Sequence, residues 1–582
     1  MTTARKRSPG DRGGAGDRAS LDADRRSLKG SETGGGSFLA GRPAAGALLL
    51  LFGALLFVAY VRLRLVDMPL ERDEGEYAYT GQLILEGIPP YQLAYNMKFP
   101  GTYYAYAALL AVFGETTRGI RTGLLVISAA TIVLVFLLGR RLIGEFPAAI
   151  AAAAYALLSV DIMSLSLLAH ATHFAVLAVV GGFLLLLQAI DAKRSHLFAL
   201  AGALLGSAVL MKQHAIFYLP LGAALTLWSG LRREGRDPRA AATRTAWLIA
   251  GATVPLVIIG IVFALQGVLG KFLFWTFQYA REYVSLVPLS LVPELFGVNF
   301  GAVLSMMWPL WLLGGIGFVA LWAVRWDSRA RAILTGLLIA SALAIVPGFY
   351  FREHYFIMLF PVVALLVGVT IAALESLFAW AGARGLARGL AALVFLAAAG
   401  LIVATEGSQF FSMSPREISR GRYSNNPFIE AVELGSYIRQ RTSPDDRIAV
   451  IGSEPEIYFY ADRKSATGYI YMYPLMEPQK YAGWMQSEMI REVQAAHPKY
   501  MVFVKIQFSW LMRAESDRAI VRWAERYARD CYDIVGVADI QSPEKTQYVW
   551  EGEAASYQPS SGNLVMTFRR KSDAPCTISG TP

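Results

Sequence analysis

Glu71, Arg72, Asp73, Glu74 and Glu76 stand within six positions, in the segment ERDEGEY that follows an apolar run. A carboxylate at a membrane edge is partly desolvated and crowded by its neighbours. Both effects raise its pKa and suit it to taking a proton from an attacking hydroxyl. Spacing alone weighs this equally against an acidic, solvated loop. Lys98, in NMKFPG, is a lone cation opening an apolar aromatic segment, where a snorkelling anchor is the plainer reading. Lys212 lies between two abutting apolar runs. A lysine at mid-bilayer costs about 2.5–3.5 kcal/mol, so this one must sit near an interface or face a cavity. Further cations outside the runs are Arg281, in WTFQYAREY, and Arg352, in GFYFREHYF beside His354 and Tyr355. His170 and His173, in LAHATHF, complete the set. A lone membrane histidine is more often a packed, hydrogen-bonded group than a catalyst, but two together make candidates.

These residues need a frame, and composition says which kind. The 582 residues are 55% hydrophobic and 17% charged, with a mean hydropathy of +0.42. Soluble chains carry about a quarter charged residues, so lipid must cover much of this surface. Apolar runs lie near 43–63, 119–139, 147–163, 165–190, 197–211, 214–230, 244–266, 300–323, 331–349, 354–378 and 386–404. The net charge of +10 is spread over short basic clusters between these runs, which excludes a nucleic-acid surface and reports orientation instead. Basic clusters in the N-terminal tail and at Arg140–Arg141, Lys193–Arg194, Arg232–Arg239, Arg325–Arg331 and Arg384–Arg388 alternate with connections poor in Lys and Arg. Eleven spans satisfy that alternation at every loop, with the N-terminus cytoplasmic. The apolar segment Tyr103 to Phe113 would invert it if counted, and is read as an interfacial or half-inserted helix.

Residues 1–42 read as a disordered cytoplasmic tail, 43–404 as the membrane domain with its outer loop at 64–118, and 405–582 as an extracytoplasmic α/β domain. In the last, RIAVIG and KYMVFVK read as buried strands, and NPFIEAVELGSYIRQ and SWLMRAESDRAIVRWAERYARD as helices. Asp445, Asp446, Glu454 and Glu456 read as solvated charges near a strand. No glycine-rich phosphate loop opens a helix there. Cys531 and Cys576 permit a disulfide without demanding one, and give no metal signature.

The early layout resembles the membrane-embedded glycosyltransferases of the GT-C fold, in the branch of protein O-mannosyltransferases and the aminoarabinose and galacturonic acid transferases of lipid A. The motifs that carry the resemblance are DEGEY at Asp73 to Tyr77, after a first span, and KFP at Lys98 to Pro100, opening a membrane-edge helix. LLGSAVLMKQHAIFYLP around Lys212 and GFYFREHYFIMLFP around Arg352 are weaker likenesses. Two departures stand out: Glu76 replaces an arginine of some relatives, and LAHATHF offers histidines where a second acid is common.

The resemblance implies a sugar carried on polyprenyl phosphate and an inverting transfer to an acceptor hydroxyl outside the cytoplasm. The acceptor would be a lipid, a glycan or a protein, and the setting the multi-pass inner (plasma) membrane, with membrane lipids around it. Asp73 would be the base, with Glu74 in support. Lys98, Lys212, Arg352 and Arg281 would bind the donor phosphate; Tyr77, His170, His173, His354 and Tyr355 are candidates for binding substrate. No residue pattern calls for a cofactor, and a divalent metal has no support in the motifs. A transporter or flippase of a lipid-linked substrate would carry inverted repeats or ionisable groups at mid-bilayer, whereas here they gather at one face. A non-catalytic scaffold is the third reading.

Overall fold

A computed structural model describes residues 44–232, 237–324 and 326–572, with Thr2 and Cys576. The expected disordered tail lies outside these residues, and so do parts of two of the basic clusters. Among the described residues, each of the eleven apolar runs contains a helix: α1 (Ala45–Arg64), α4 (Thr117–Leu142), α5 (Glu145–Leu158), α6 (Ala171–Ala192), α7 (Ser195–Met211), α8 (Tyr218–Arg232), α9 (Pro238–Leu265), α10 (Val292–Ala323), α11 (Ser328–Ala344), α12 (Phe360–Trp380) and α13 (Ala387–Phe411). Eight of them, taken with their 3-10 extensions, are long and apolar enough to cross a bilayer. Two further helices lie between α1 and α4: α2 (Arg72–Leu85) and α3 (Gly101–Phe113). The 13 residues of α3 span about 20 Å at 1.5 Å each, too little for about 30 Å of hydrocarbon.

The helix boundaries depart from the apolar runs where polar groups replace the helical ladder. Residues 159–170, where only 161–164 was expected to connect two spans, form a longer buried loop between α5 and α6. Arg62, near the end of α1, donates to the carbonyls of Ser159 (2.7 Å), Ser166 (3.0 Å) and Leu167 (3.4 Å). Asp161 accepts from the N–H groups of Met163 (2.9 Å) and Ser164 (3.1 Å). With its backbone groups met this way, the loop is tolerated inside protein, which lipid would not allow. It ends at His170, the residue before α6.

Beyond α13 the chain forms α14 (Pro415–Tyr423), α15 (Phe428–Gln440), α16 (Glu456–Ala461), α17 (Ala482–Ala496) and α18 (Ala519–Cys531), with strands β1 (Arg447–Ile451), β2 (Lys464–Ser465), β3 (Tyr500–Lys505), β4 (Tyr532–Ile540), β5 (Thr546–Trp550) and β6 (Leu564–Arg570). The sheet order is β2-β1-β3-β6-β4-β5. β2, β1 and β3 run parallel, joined through helices; β6 pairs antiparallel with β3 and with β4. The sheet is therefore mixed rather than all parallel. The expected helix from Ser509 onward breaks early, because Leu511 turns left-handed at φ +49°; the helix proper is α18. Cys531 and Cys576 are disulfide-bonded.

The sheet region docks directly on α2. A Cβ built at Gly75 would lie 2.5 Å from the Glu456 nitrogen, so only glycine lets α2 and α16 approach this closely. Tyr79 and Tyr458 stack beside it, ring centroids 5.0 Å apart.

Candidate active site

ERDEGEY is the start of α2 rather than a loop. Glu71 caps the helix by accepting from the Glu74 N–H (2.9 Å), while the Glu74 side chain reaches back to the Glu71 N–H. This reciprocal cap satisfies two orphan donors, and it aims successive acids in different directions. Glu74 turns inward and is fully buried; Arg121 of α4 grips it with both terminal nitrogens, and the Ala169 N–H of the loop donates to it as well. Both its oxygens are thus committed to holding α2, α4 and the 159–170 loop together.

Asp73 faces the other way. Its Oδ1 accepts from Lys98 Nζ (2.8 Å) and from the Tyr471 hydroxyl (3.1 Å), while Oδ2 lies 3.9 Å from His170 Nδ1. The Asp73 and Lys98 side chains are each 25% exposed, whereas Glu76 is sealed in. Lys98 also donates to Glu76 (2.6 Å), which accepts from the Tyr103 hydroxyl (2.5 Å), and its ammonium lies 4.6 Å above the Tyr77 ring. Burial pushes the Asp73 carboxyl up, but the Lys98 ammonium, with His354 and His170, outweighs it and holds the group well below the usual carboxylate range. Burial would lower Lys98; Asp73 and Glu76 reverse that and fix the positive charge. Burial, then the charges of Asp73 and Glu74, pushes Glu71 up to about 8. The lysine expected to meet a phosphate therefore already has two carboxylate partners, because the pocket around it is acidic.

The other cations are differently placed. Lys212, between α7 and α8, is half-buried with its ammonium 4.2 Å above the Tyr355 ring, and no carboxylate pairs with it among the described residues. Burial pushes it down to about 7, with Lys98 and Arg352 adding to the effect against Asp73. Arg352 is exposed beside the Tyr350 ring, 5.4 Å away. Arg281 is exposed on the one-turn helix Ala280–Val284, and no hydrogen bond, ion pair or ring contact joins it to this cluster among the described residues. His170 and His354 stack face to face at 4.3 Å, and His354 meets the Tyr355 ring edge-on at 4.8 Å. Burial takes His170 down to about 4, so it is neutral at physiological pH. His173 is buried in the first turn of α6, and its Nε2 has no hydrogen-bond partner.

Several residues of this site escaped the sequence reading. Arg72 donates to Glu454 (2.9 Å) and to the Ser453 carbonyl. Glu454 and Glu456, read as solvated, are fully buried against α2, because the sheet region covers them. Tyr103, Arg121 and Tyr471 were missed, and Glu71 and Arg72 were noticed without their pairings. The Glu71-x-x-Glu74 spacing was a readable cap signal, and Arg121 was a lone cation near the end of an apolar run.

The family model for dolichyl-phosphate-mannose-protein mannosyltransferase matches residues 98–263, from Lys98 through most of α9. No curated sequence matches the chain significantly. Among solved structures, ArnT from Cupriavidus metallidurans, bound to undecaprenyl phosphate, is 14% identical and aligns over 90% of this chain and 98% of its own, with a TM-score of 0.55. This chain has the GT-C fold. The archaeal oligosaccharyltransferase AglB from Archaeoglobus fulgidus, in complex with an inhibitory peptide and a dolichol-phosphate, is 15% identical over 88% of this chain and 74% of its own, with a TM-score of 0.52. The GT-C helices, among the described residues, form a multi-pass membrane protein with a mixed α/β region docked on α2.

Proposed function

We propose that this GT-C protein is an inverting glycosyltransferase, moving a sugar from polyprenyl phosphate to an acceptor hydroxyl at the outer face of the cytoplasmic membrane. The observation that carries the reading is one half-open carboxylate, Asp73, whose charge is felt by two cations without carboxylate partners among the described residues, Lys212 and Arg352. The transfer has two electrostatic tasks. The acceptor oxygen attacks the anomeric carbon while its proton passes to Asp73. The bond from that carbon to the phosphate oxygen breaks, and polyprenyl phosphate leaves with the electron pair. Attack opposite the leaving group inverts the centre.

Asp73 is kept ionised by Lys98, so it is ready to accept the proton, a contribution of about 10²–10⁴ in rate. Lys212 and Arg352 neutralise charge as it develops on the departing phosphate, and the Tyr355 face under Lys212 fixes that ammonium in place. Arg281 stands outside this pair. Glu74 acts through Arg121 and the loop rather than on substrate. The alternation of basic clusters with basic-poor connections along the sequence supports a cytoplasmic N-terminus and an outer site. Phosphate-carrying lipids bound to ArnT and AglB support a lipid-linked donor, and the acceptor is left among lipid, glycan and protein.

The test is transfer by purified protein offered a panel of polyprenyl-phosphate sugars, read as released polyprenyl phosphate. Asp73→Asn should insert and fold like the parent and lose at least about 100-fold in rate. Release at the parent rate would remove Asp73 as base and with it this mechanism.

A further inference from the structure

Arg281 stands outside the transfer site, and the segment that carries it has two unlike sides. Between α9 and α10 the chain runs helically without a break from Leu269 to Val284, with a π turn over Phe274–Tyr279 at its centre. One side packs on the protein: Phe272, Trp275, Thr276 and Tyr279 are buried. Phe272 lies 5.8 Å from the ring of Phe99, the neighbour of Lys98, and Trp275 stacks on Tyr95 at 5.6 Å. The other side is apolar and open, with Leu273, Phe277 and Val284 exposed by 43%, 54% and 43%. Positions i, i+4 and i+11 fall on one helical stripe. Arg281 borders that stripe, and among the described residues no hydrogen bond, ion pair or ring contact engages its guanidinium. The nearby charges are already matched: Glu282 pairs with Lys480 (3.0 Å), and Lys271 donates to the Tyr95 hydroxyl.

We propose that the helical segment Leu269–Val284, with Trp484 of the sheet region, is an interfacial anchor seated in the lipid leaflet on the sheet-region side, where Arg281 takes the phosphate of an anionic lipid headgroup. Position argues for lipid as the occupant. The segment follows α9 after only Gln266–Val268, and the next span begins at Leu289, so it is tethered at both ends to the edge of the bilayer. Composition agrees, because an apolar stripe bordered by a basic side chain is how a helix lies in the interface plane. Trp484 is 48% exposed and meets the Phe274 ring edge-on at 5.6 Å, with Tyr481 at 5.1 Å from the same ring. Tryptophan and tyrosine are the side chains that gather at headgroup level. An arginine there lays its aliphatic stem along apolar surface and carries its charge to the phosphates, and its fork suits a phosphate bound by two donors. The buried side of the same segment supports Phe99, so the lipid seat also steadies the strand that presents Lys98.

The experiment places the full chain in nanodiscs with an NBD fluorophore on one introduced cysteine, Phe277→Cys, Val284→Cys or Trp484→Cys. Cys531 and Cys576 are bonded to each other and do not compete for the label. Ala555→Cys, at an exposed position beyond β5, is the reference. Lipids carrying a doxyl quencher near the headgroup should quench all three labels more than the reference. At equal mole fraction, doxyl-phosphatidylglycerol should quench the labels at 277 and 284 about two- to fivefold more than doxyl-phosphatidylcholine. Arg281→Gln should bring that ratio close to one, Arg281→Lys should keep most of it, and excess soluble glycerol phosphate should leave it unchanged. Quenching no greater than at Ala555→Cys would overturn the anchor. Equal quenching by the two lipids, a ratio unmoved by Arg281→Gln, or a ratio abolished by soluble glycerol phosphate would overturn the headgroup site. Two labels share the stripe, so a variant that fails to fold leaves the other to decide. No sugar donor enters, and the outcome stands apart from the transferase reading.

Discussion

Gly75→Ala is a perturbation whose sign the structure decides. In a helix interior alanine is favoured over glycine by about 1 kcal/mol, so α2 by itself predicts a gain. The added Cβ would fall 2.5 Å from the Glu456 nitrogen, 2.6 Å from its Cβ and 2.8 Å from its Cα, where ordinary contact begins at 3.4 Å. Two of those three atoms are backbone, so α2 and α16 must part by nearly an ångström. Overpacking of this kind costs about 1–3 kcal/mol. The net effect is a loss of up to about 2 kcal/mol, and at tenfold per 1.4 kcal/mol the undocked sheet region rises up to about 30-fold. Limited proteolysis beyond Phe411 reads that population, with thermal unfolding followed by tryptophan fluorescence as a second probe. Transfer should fall with it, because Asp73 is two residues away and misplacement by about 1 Å can cost about 100-fold. Gly53→Ala in α1 is the control, since nothing lies within 4 Å of its built Cβ. A Gly75→Ala protein that is more stable, no more cleavable and fully active would refute the docking argument.

Other expectations are simpler. Arg121→Leu leaves Glu74 buried without its partner and should destabilise by about 3–5 kcal/mol, with Arg121→Leu/Glu74→Leu recovering much of that, as a thermal shift series would show. Lys212 carries its charge only below about 7. As pH rises through that value the ammonium is lost, so affinity for a polyprenyl-phosphate donor should weaken on the alkaline side; Lys212→Gln should raise KM for the donor and remove that step. Lys98→Ala should lower kcat more than it raises donor KM, since Lys98 holds Asp73 at 2.8 Å. A purely donor-KM effect would return Lys98 to the phosphate.

The membrane frame was legible because apolar length and basic alternation are local, additive signals. All eleven runs contain helices among the described residues; eight are long enough to cross, while α5, at 14 residues, is hardly longer than α3 at 13. The loop at 159–170 was not legible: its residues are apolar enough for a span, and only Arg62, about a hundred positions earlier, marks the carbonyls left unpaired. In the site, Asp73 and Lys98 stood out by type and spacing, and the structure joins them. Their relationship was hidden, because whether a cation meets a phosphate or a carboxylate depends on where a helix points its acids. Arg121, Glu454 and Tyr471 lie far along the chain from α2, and no periodicity reports such pairings. Glu454 and Glu456 looked like surface charge because nothing local says that another helix covers them.

The Arg72–Glu454 pair spans 382 residues of sequence, and that sets a schedule for biogenesis. At about 5–20 residues per second, α2 leaves the ribosome roughly 20–75 s before its partner is made. Through that interval Arg72 and the acids around it have no sheet region to cover them, and they must wait in water or under a chaperone's care. A stall or truncation after the last span would therefore yield a full set of membrane helices with an unfinished centre, which quality control could recognise by its exposed charge.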